Sequence, residues 1–452
     1  MLYSSQNDKL QTIIKNMHMF HSSRFSRYFL FLLLSIVSTR TEAQDIFKTF
    51  DDTSMVIREA NATTAPNVAA KKWNQIKNKF FTMNIGLAIL LDHNIVSQDN
   101  NNLLQVGKVD PGTEFRGDRL VITGSFFLKN KNPWRYMVSA NFNGLDAPEG
   151  KKSFDFIDWN IDIPISAKAG WFTIGKQKEG VGLEYVAPGT QLMFTERSTG
   201  TPMFVRQRNI GIRYSNVILN QRMTYTFGYF NNYWETGKSF ANNGSQFTAR
   251  VTGLPTYQSD RNLLHIGLAY RYTDPTDGKL SYKAKPEANT APSFINTGSF
   301  NAKGANSFML EGIFVKGPIS FLGEYISTSV NSPSVGNPML NTIQLGGSWF
   351  ITGENRRYNK TTGNLGKLIP KKNFKFRQGS GYGAFELGAR YTHTNGTDAI
   401  LSGGTFNRFT TAISWYPNVH FRYEFNYGIG NLDSKGLVGK TNFYQFRIQF
   451  EL

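Results

Sequence analysis

Tyr444-Gln-Phe-Arg-Ile-Gln-Phe450 sets Tyr444, Phe446, Ile448 and Phe450 on one face of an extended segment and Gln445, Arg447 and Gln449 on the other. The stretch before it alternates in the same way, with Phe421, Tyr423, Phe425 and Tyr427 against Arg422, Glu424 and Asn426. Phe409, Thr411, Ile413 and Trp415 oppose Arg408, Thr410 and Ser414, and Phe385, Leu387, Ala389 and Tyr391 oppose Glu386, Gly388 and Arg390. Toward the N-terminus, similar segments fall near 339–351, 319–328, 305–315, 262–272, 246–252, 222–230 and 208–215. Others fall near 169–178, 154–163, 134–142, 115–127 and 79–91, for sixteen in all. A soluble β-sandwich keeps its apolar faces inside and its polar faces wet. Here the aromatic faces are too many to share one core, and they read instead as lipid-facing, with Trp134, Trp159, Trp349 and Trp415 as candidate interface anchors. The expected fold is all-β: a transmembrane antiparallel β-barrel of about sixteen strands, wide enough for a water-filled lumen.

Composition agrees with a folded exported chain. Aromatics make up 14% and charged residues only 18%, which argues against disorder, and the absence of cysteine rules out thiolate metal sites, disulfides and Cys nucleophiles. Fifty Lys and Arg against 32 Asp and Glu give a net charge of +18, but the basic residues are scattered. The densest cluster is Lys367, Lys371, Lys372, Lys375 and Arg377, so no nucleic-acid partner is expected; the excess reads as a general field for small anions. Arg24 and Arg27 precede an apolar run, Tyr28 to Val37, and Thr41-Glu42-Ala43 follows, the pattern of a secretory signal cleaved after Ala43. The run is too short to span a bilayer as a helix, which takes roughly 20 residues. Residues 1–43 are thus read as signal peptide, 44–78 as a flexible lead-in, and 79–452 as the barrel.

The connections give an independent indication. Links near 128–133, 164–168, 216–221, 316–318 and 417–419 are short, whereas 92–114, 179–207 and 273–304 are long, as expected of a barrel with a short-turn periplasmic rim and a long-loop outer rim. The link 352–381 breaks the rule: it should be short and is long. On the inward faces, Arg119, Arg135, Arg213, Arg222, Arg271, Arg390, Arg408, Arg422 and Arg447 stand against Asp158, Asp162, Glu311, Glu324, Glu386 and Glu424, a modest excess of positive charge along the expected lumen wall.

Gly175-Lys-Gln-Lys-Glu-Gly-Val-Gly-Leu-Glu-Tyr185, followed by Met193-Phe-Thr-Glu-Arg-Ser198, resembles the phosphate-selective porin O and P family, in which the fifth strand runs into a long loop of this kind. Ala249 to Pro255, Leu264 to Tyr272 and Gly317 to Tyr325 resemble its middle strands; Trp349 to Tyr358, Gly383 to Tyr391 and Trp415 to Asn418 resemble its C-terminal third. The resemblance covers roughly 110–452 and accounts for the long link at 352–381. It implies an outer-membrane porin, usually a homotrimer, set among outer-membrane lipid by the barrel-assembly machinery, passing small anions such as phosphate. Loop 179–207 would fold into the channel as a constriction, with Lys176, Lys178 and Arg197 as its anion-binding candidates. The family's phosphate site also uses an Arg pair at the start of the second strand. The matching stretch is Phe115-Arg-Gly-Asp-Arg119, where Arg116 is kept and Gly117-Asp118 separates it from Arg119, which weakens the expectation of phosphate specificity.

Chemistry of other kinds has no carriers. His93, His265, His393 and His420 lie on separate segments with no metal-ligand spacing, and Gly379-Ser-Gly-Tyr-Gly383 precedes a strand and not a helix. Glu179 and Glu184 form a nominal carboxylate pair, but on a loop they are expected to lack the desolvation that raises a pKa. No enzyme activity, cofactor or metal is expected. A sugar- or peptide-selective channel would show an aromatic-lined passage without an Arg cluster, and a secreted β-rich carbohydrate-binding protein would have an apolar interior.

Overall fold

A computed structural model of the chain describes residues 74–130, 132–142, 154–166, 168–231, 244–375 and 381–452. The signal segment and residues 44–73 of the lead-in lie outside the described residues. From the rest of the lead-in, Gln75–Lys77 folds back as a short strand against Thr82 to Asn84.

Sixteen strands follow: β1 Phe81–Gln98, β2 Gly112–Phe126, β3 Trp134–Asn141, β4 Asp155–Ser166, β5 Gly170–Gln177, β6 Asn209–Ile218, β7 Met223–Asn231 and β8 Ser245–Ser259. The second half is β9 Asn262–Thr273, β10 Gly304–Lys316, β11 Ile319–Asn331, β12 Met339–Phe350, β13 Ala384–Asp398, β14 Leu401–Tyr416, β15 Phe421–Ser434 and β16 Leu437–Glu451. Each pairs antiparallel with the next, and β1 pairs with β16 from Ala88 opposite Glu451 to Gln98 opposite Thr441, so the sheet closes on itself. Closure leaves no strand edge, the condition for a sheet to cross lipid.

The barrel is inside-out relative to a soluble protein. On β16, Tyr444, Phe446 and Ile448 are 37 to 47% exposed while Gln445, Arg447 and Gln449 are at most 5% exposed. Such a surface is stable only against hydrocarbon. Aromatic rings gather at the rim of short connections: Trp134 packs with Phe126 and Phe127, and Trp415 stacks between Phe385 and Tyr423. Leu345, outward at the middle of β12 between Gly323 and Tyr391, lies in the apolar belt. Leu345→Arg is expected to lower the urea midpoint of the vesicle-folded protein by an amount corresponding to about 2–4 kcal/mol, the cost of that charge near the bilayer midplane.

Several strands run well beyond their expected ends. Strand β15 extends to Ser434 and β16 begins at Leu437, joined by Lys435-Gly436, both at positive φ, the geometry of a tight hairpin turn. Strands β13 and β14 are joined by Ala399 and Ile400 alone. These extensions carry the sheet past the apolar belt, where neither face has to match lipid and the alternation fades. The short helix α1, Asn100–Val106, caps this end, with Gln105 donating to Leu432 O and Asn101 to Val438 O.

Three long connections turn inward. The β5–β6 connection (178–208, here loop 5) packs Leu183, Met193 and Phe194 with Leu254, Leu263, Ile313 and Ala412. The β9–β10 connection (274–303, loop 9) carries the hairpin Lys279–Ala284/Ile295–Asn301 and places Ala288, Ala291, Phe294 and Ile295 in an apolar cluster with Phe406 and Phe443. Residues 356–365 of the β12–β13 connection, the one that is too long for its rim, also enter the barrel. Arg356 pairs with Glu386 at 2.7 Å and donates to Gln191 O of loop 5, while Arg250 of β8 holds Thr362 O and Gly363 O, each at 2.7 Å. His265 bridges Tyr358 Oη (2.6 Å) and Glu311 (3.0 Å), with Arg250 on the same carboxylate. The excess length is therefore spent on filling lumen.

Candidate functional site

Loop 5 reaches across the interior because the far wall offers it donors. Arg422 donates to Leu192 O and Met193 O, Arg447 to Thr195 O, and Arg390 to Glu196 O. Glu324 of β11 accepts from Leu183 N at 2.6 Å, and Glu184 accepts from Ser198 N. The fit is close at Gly200, where a Cβ would stand 2.0 Å from Thr342 Oγ1, so no larger residue is accommodated without moving the loop. Loop 9 locks the arrangement: Glu287, 3% exposed, pairs with Arg390 at 2.5 Å, lies 3.5 Å from Arg408 and accepts from Thr199 N.

These contacts crowd the half of the lumen beside β9–β15 and leave a larger cavity beside β1–β6, the candidate passage. Its lining includes Arg116, Arg119, Arg135, Lys178, Arg197, Arg208, Arg213 and Arg447, against the carboxylates of Asp158, Asp162, Glu196 and Glu451. Tyr136 is the one aromatic residue among the described lining. Most of the cations are committed. Arg116 forks onto Glu196 (Nε to Oε1 2.5 Å, Nη2 to Oε2 3.2 Å), Arg135 pairs with Asp162 at 3.2 Å, Arg208 with Asp158 at 3.2 Å, and Arg447 with Asp92 at 2.6 Å. Lys178 donates to Val186 O and Ala187 O, Arg197 to Glu184 O and Ala187 O, and Arg213 to Lys178 O. Arg119 stands apart: like Arg197 and Arg213 it has no described carboxylate within 4 Å, and unlike them it donates to no described acceptor.

The pair Arg116 and Arg119 shares the passage because of a bulge. Strict alternation would send residues three apart to opposite faces. Between Leu90, opposite Gly117, and Leu91, opposite Phe115, Arg116 has no cross-strand partner and is the extra residue; the bulge re-aims its side chain inward. Further down the wall, Arg135 lies opposite Ser125, six residues beyond Arg119 on β2, a spacing of roughly 20 Å along the strand. The cations thus form a column along the passage.

Two expected residues sit elsewhere. Alternation continues through the end of β5, so Lys176 shares a face with outward Ile174 and its partner Trp159; its Nζ donates to Phe156 O. Arg222 lies exposed in the β6–β7 turn at the short-connection rim and donates to Tyr257 O. The remaining wall arginines, Arg271, Arg390, Arg408 and Arg422, are tied to loop residues or neighbouring acids and do not line the passage. Glu179 and Glu184, expected to be solvated, are instead buried and paired with Arg271 and Arg390, because loop 5 lies inside the barrel and not over it. The sequence reading missed Arg208, Glu196, Arg250, Glu287 and Arg356. Arg208 follows directly on the expected loop and could have been taken with Arg197; Glu196, Arg250 and Arg356 lie within the stretches that carry the family resemblance, but nothing local marks the partners they or Glu287 meet. Among the described residues no cluster of His, Asp and Glu is arranged to hold a metal.

The inward loops depend on ionised carboxylates. Burial alone would raise the Glu196 carboxyl, but Arg116 and Arg447 beside it outweigh burial and hold it below its ordinary 4.5. Burial likewise works against Glu287, and Arg390 and Arg408 outweigh it. The depressed pKa of the Glu287 clamp stabilises the folded loops fully above the ordinary value, and that stabilisation is lost as pH falls through the folded value. Open-channel noise in planar bilayers is therefore expected to be low at neutral pH and to rise steeply below about pH 4, with a reversible return on neutralisation.

Comparison with known proteins agrees with this architecture. The model of the family described as phosphate-selective porin O and P matches residues 90–452. An uncharacterized protein of Caulobacter vibrioides is 26% identical over 185 residues, which is 40% of this chain and 36% of that protein, so the match spans about a third of the relative. Among solved structures, the anion-selective porin from Comamonas acidovorans superimposes with a TM-score of 0.53 at 13% identity, over 82% of this chain and 100% of that one. OmpT of Vibrio cholerae gives 0.53 at 11% identity over 84% and 99%. At these identities the likeness is one of fold. With a closed sixteen-stranded barrel, an apolar outer belt and a family match over most of its length, the chain belongs to the phosphate-selective porin O and P family and is an outer-membrane porin.

Proposed function

We infer that the barrel is a passive channel for small solutes that favours anions, with loop 5 as its constriction and phosphate or polyphosphate as candidate permeants. The observation that carries this reading is the column of eight cationic side chains against four side-chain carboxylates along one passage, with Arg119, Arg197 and Arg213 facing no carboxylate within 4 Å. A cation column of this kind offers an anion successive weak sites, which permits entry without trapping. Arg116, Arg119, Lys178 and Arg197 are the proposed constriction residues, joined by Arg135, Arg208 and Arg213. The near absence of aromatic lining speaks against a sugar channel. A homotrimeric assembly is part of the proposal, in line with the trimer form recorded for OmpT of Vibrio cholerae.

The test is the reversal potential of detergent-folded protein in planar bilayers under a salt gradient, followed by phosphate titration of the chloride current. Anion selectivity with saturable block by phosphate is expected. A cation-selective or unselective channel would overturn the anion reading, and selectivity without phosphate block would remove phosphate from it.

A further inference from the structure

Within the passage one carboxylate differs from the others. Asp158, Asp162 and Glu451 belong to strands of the wall, whereas Glu196 projects from loop 5. The loop does not need that side chain in order to stay in place. Its backbone is held by Arg390 on Glu196 O, Arg447 on Thr195 O and Arg422 on Leu192 O and Met193 O, and Thr195 Oγ1 donates to Asn426 Oδ1. What the Glu196 carboxylate does is fill the fork of Arg116, with Arg447 3.6 Å from the same oxygen. Two parallel N–H to O contacts on a planar carboxylate are the geometry by which a guanidinium recognises an oxyanion. Arg116 keeps 30% of its side-chain surface exposed and Glu196 13%, so this pair faces the passage, unlike the sealed Arg250–Glu311 and Arg356–Glu386 pairs. An accessible ion pair is weak in net terms and open to exchange.

We propose that Glu196 is a tethered counter-anion: in the empty channel it occupies the oxyanion site of Arg116 that a permeating carboxylate or phosphate takes in transit, and the permeant displaces it. This rests on the anion-channel reading and deepens it in two ways. It assigns to the site the class of oxyanions with two acceptor oxygens in one plane, as opposed to spherical halides. It also makes affinity at the site adjustable by the loop, since each anion that binds has to compete with a carboxylate of fixed local concentration. Ionisation of Glu196 at neutral pH, secured by its arginine neighbours, keeps the competitor charged.

Block of chloride current by inorganic phosphate and by acetate, measured in the wild type, Glu196→Gln and Glu196→Asp, separates occupancy from simple charge. Aspartate keeps the charge but is one methylene shorter, and from the same backbone position it does not reach the fork. If Glu196 is a competitor, both variants bind either oxyanion roughly fivefold or more tightly than the wild type, and in Glu196→Asp, which keeps the charge, that gain exceeds any change in bromide conductance. A gain in Glu196→Gln alone would reduce the residue to a contributor of field and overturn the proposal, as would unchanged block in both. Loss of the heat-modifiable folded barrel in both variants would also overturn it, by making the side chain structural. A wild-type channel without anion preference would instead sink the functional reading, an outcome visible before any variant is made.

Discussion

Arg119→Glu is expected to abolish the anion preference of the channel and turn the reversal potential toward the cation limit. Arg116, Arg135, Arg208 and Arg447 each face a carboxylate of their own, so much of their charge is already offset along the passage. Arg119 has no such partner, and its Nε is buried without an acceptor. Two unit charges about 4 Å apart interact by about 4 kcal/mol at an effective dielectric of 20, and changing the sign of one reverses that interaction for every ion that passes. A change of at least tenfold in the anion-to-cation permeability ratio, about 1.4 kcal/mol, is therefore a conservative expectation. Arg119→Gln is expected to fall between wild type and Arg119→Glu. Arg135→Gln is expected to do less, because Arg135 is paired with Asp162 whereas Arg119 has no carboxylate beside it. Equal effects of Arg119→Gln and Arg135→Gln would show that the passage responds to net charge and not to the uncompensated group.

The second large effect is expected at Arg390, which holds both outer loops at once. Its Nη1 reaches Glu184 Oε1 at 3.0 Å and Glu196 O at 3.1 Å, its Nη2 reaches Glu287 at 2.5 Å, and its guanidinium lies over the Phe194 ring at 4.4 Å. Arg390→Met removes the cation and leaves Glu184 without an ion-pair partner in a closed site. Breaking a buried pair from one side costs about 3–5 kcal/mol, most of it the penalty of the stranded charge. The expected result is a lower urea midpoint together with a larger, noisier conductance as loop 5 and loop 9 leave the wall. Adding Glu184→Gln to Arg390→Met should recover part of the stability, because the stranded charge goes with it, and the double-mutant cycle measures that coupling. Conductance and noise identical to wild type in Arg390→Met would mean that apolar packing of Phe194 and Phe294 alone suffices to hold the loops.

The same comparison of neighbouring groups separates what is legible in the sequence from what is not. Strand number, the orientation of each strand's two faces and the distinction between long and short connections all follow from local alternation. The reason is that lipid imposes a requirement on every second residue wherever a strand crosses the apolar belt. Where the strands leave the belt the requirement lapses, and so β13 to β16 run farther than their aromatic alternation, into hairpins with two-residue turns. Glu386, Arg390, Arg408, Arg422 and Arg447 are inward by parity alone, and they are inward in the fold.

What those inward residues do is a different matter, since parity says which side a group faces and not what it meets there. Arg116 and Arg119 come together through a bulge that alternation does not contain, whereas Lys176 obeys alternation and is thereby directed outward. Arg390 and Arg408 become loop clamps because Glu287, more than a hundred residues away, folds between them. Membrane crossing, strand count and the excess of inward positive charge were determined by the sequence itself, because each depends on residues one, two or a dozen positions apart. The path of the three inward connections, and with it the choice of which arginines are left to face a passing ion, was decided only by tertiary structure, because it depends on charge partners that chain folding alone brings within a few ångströms.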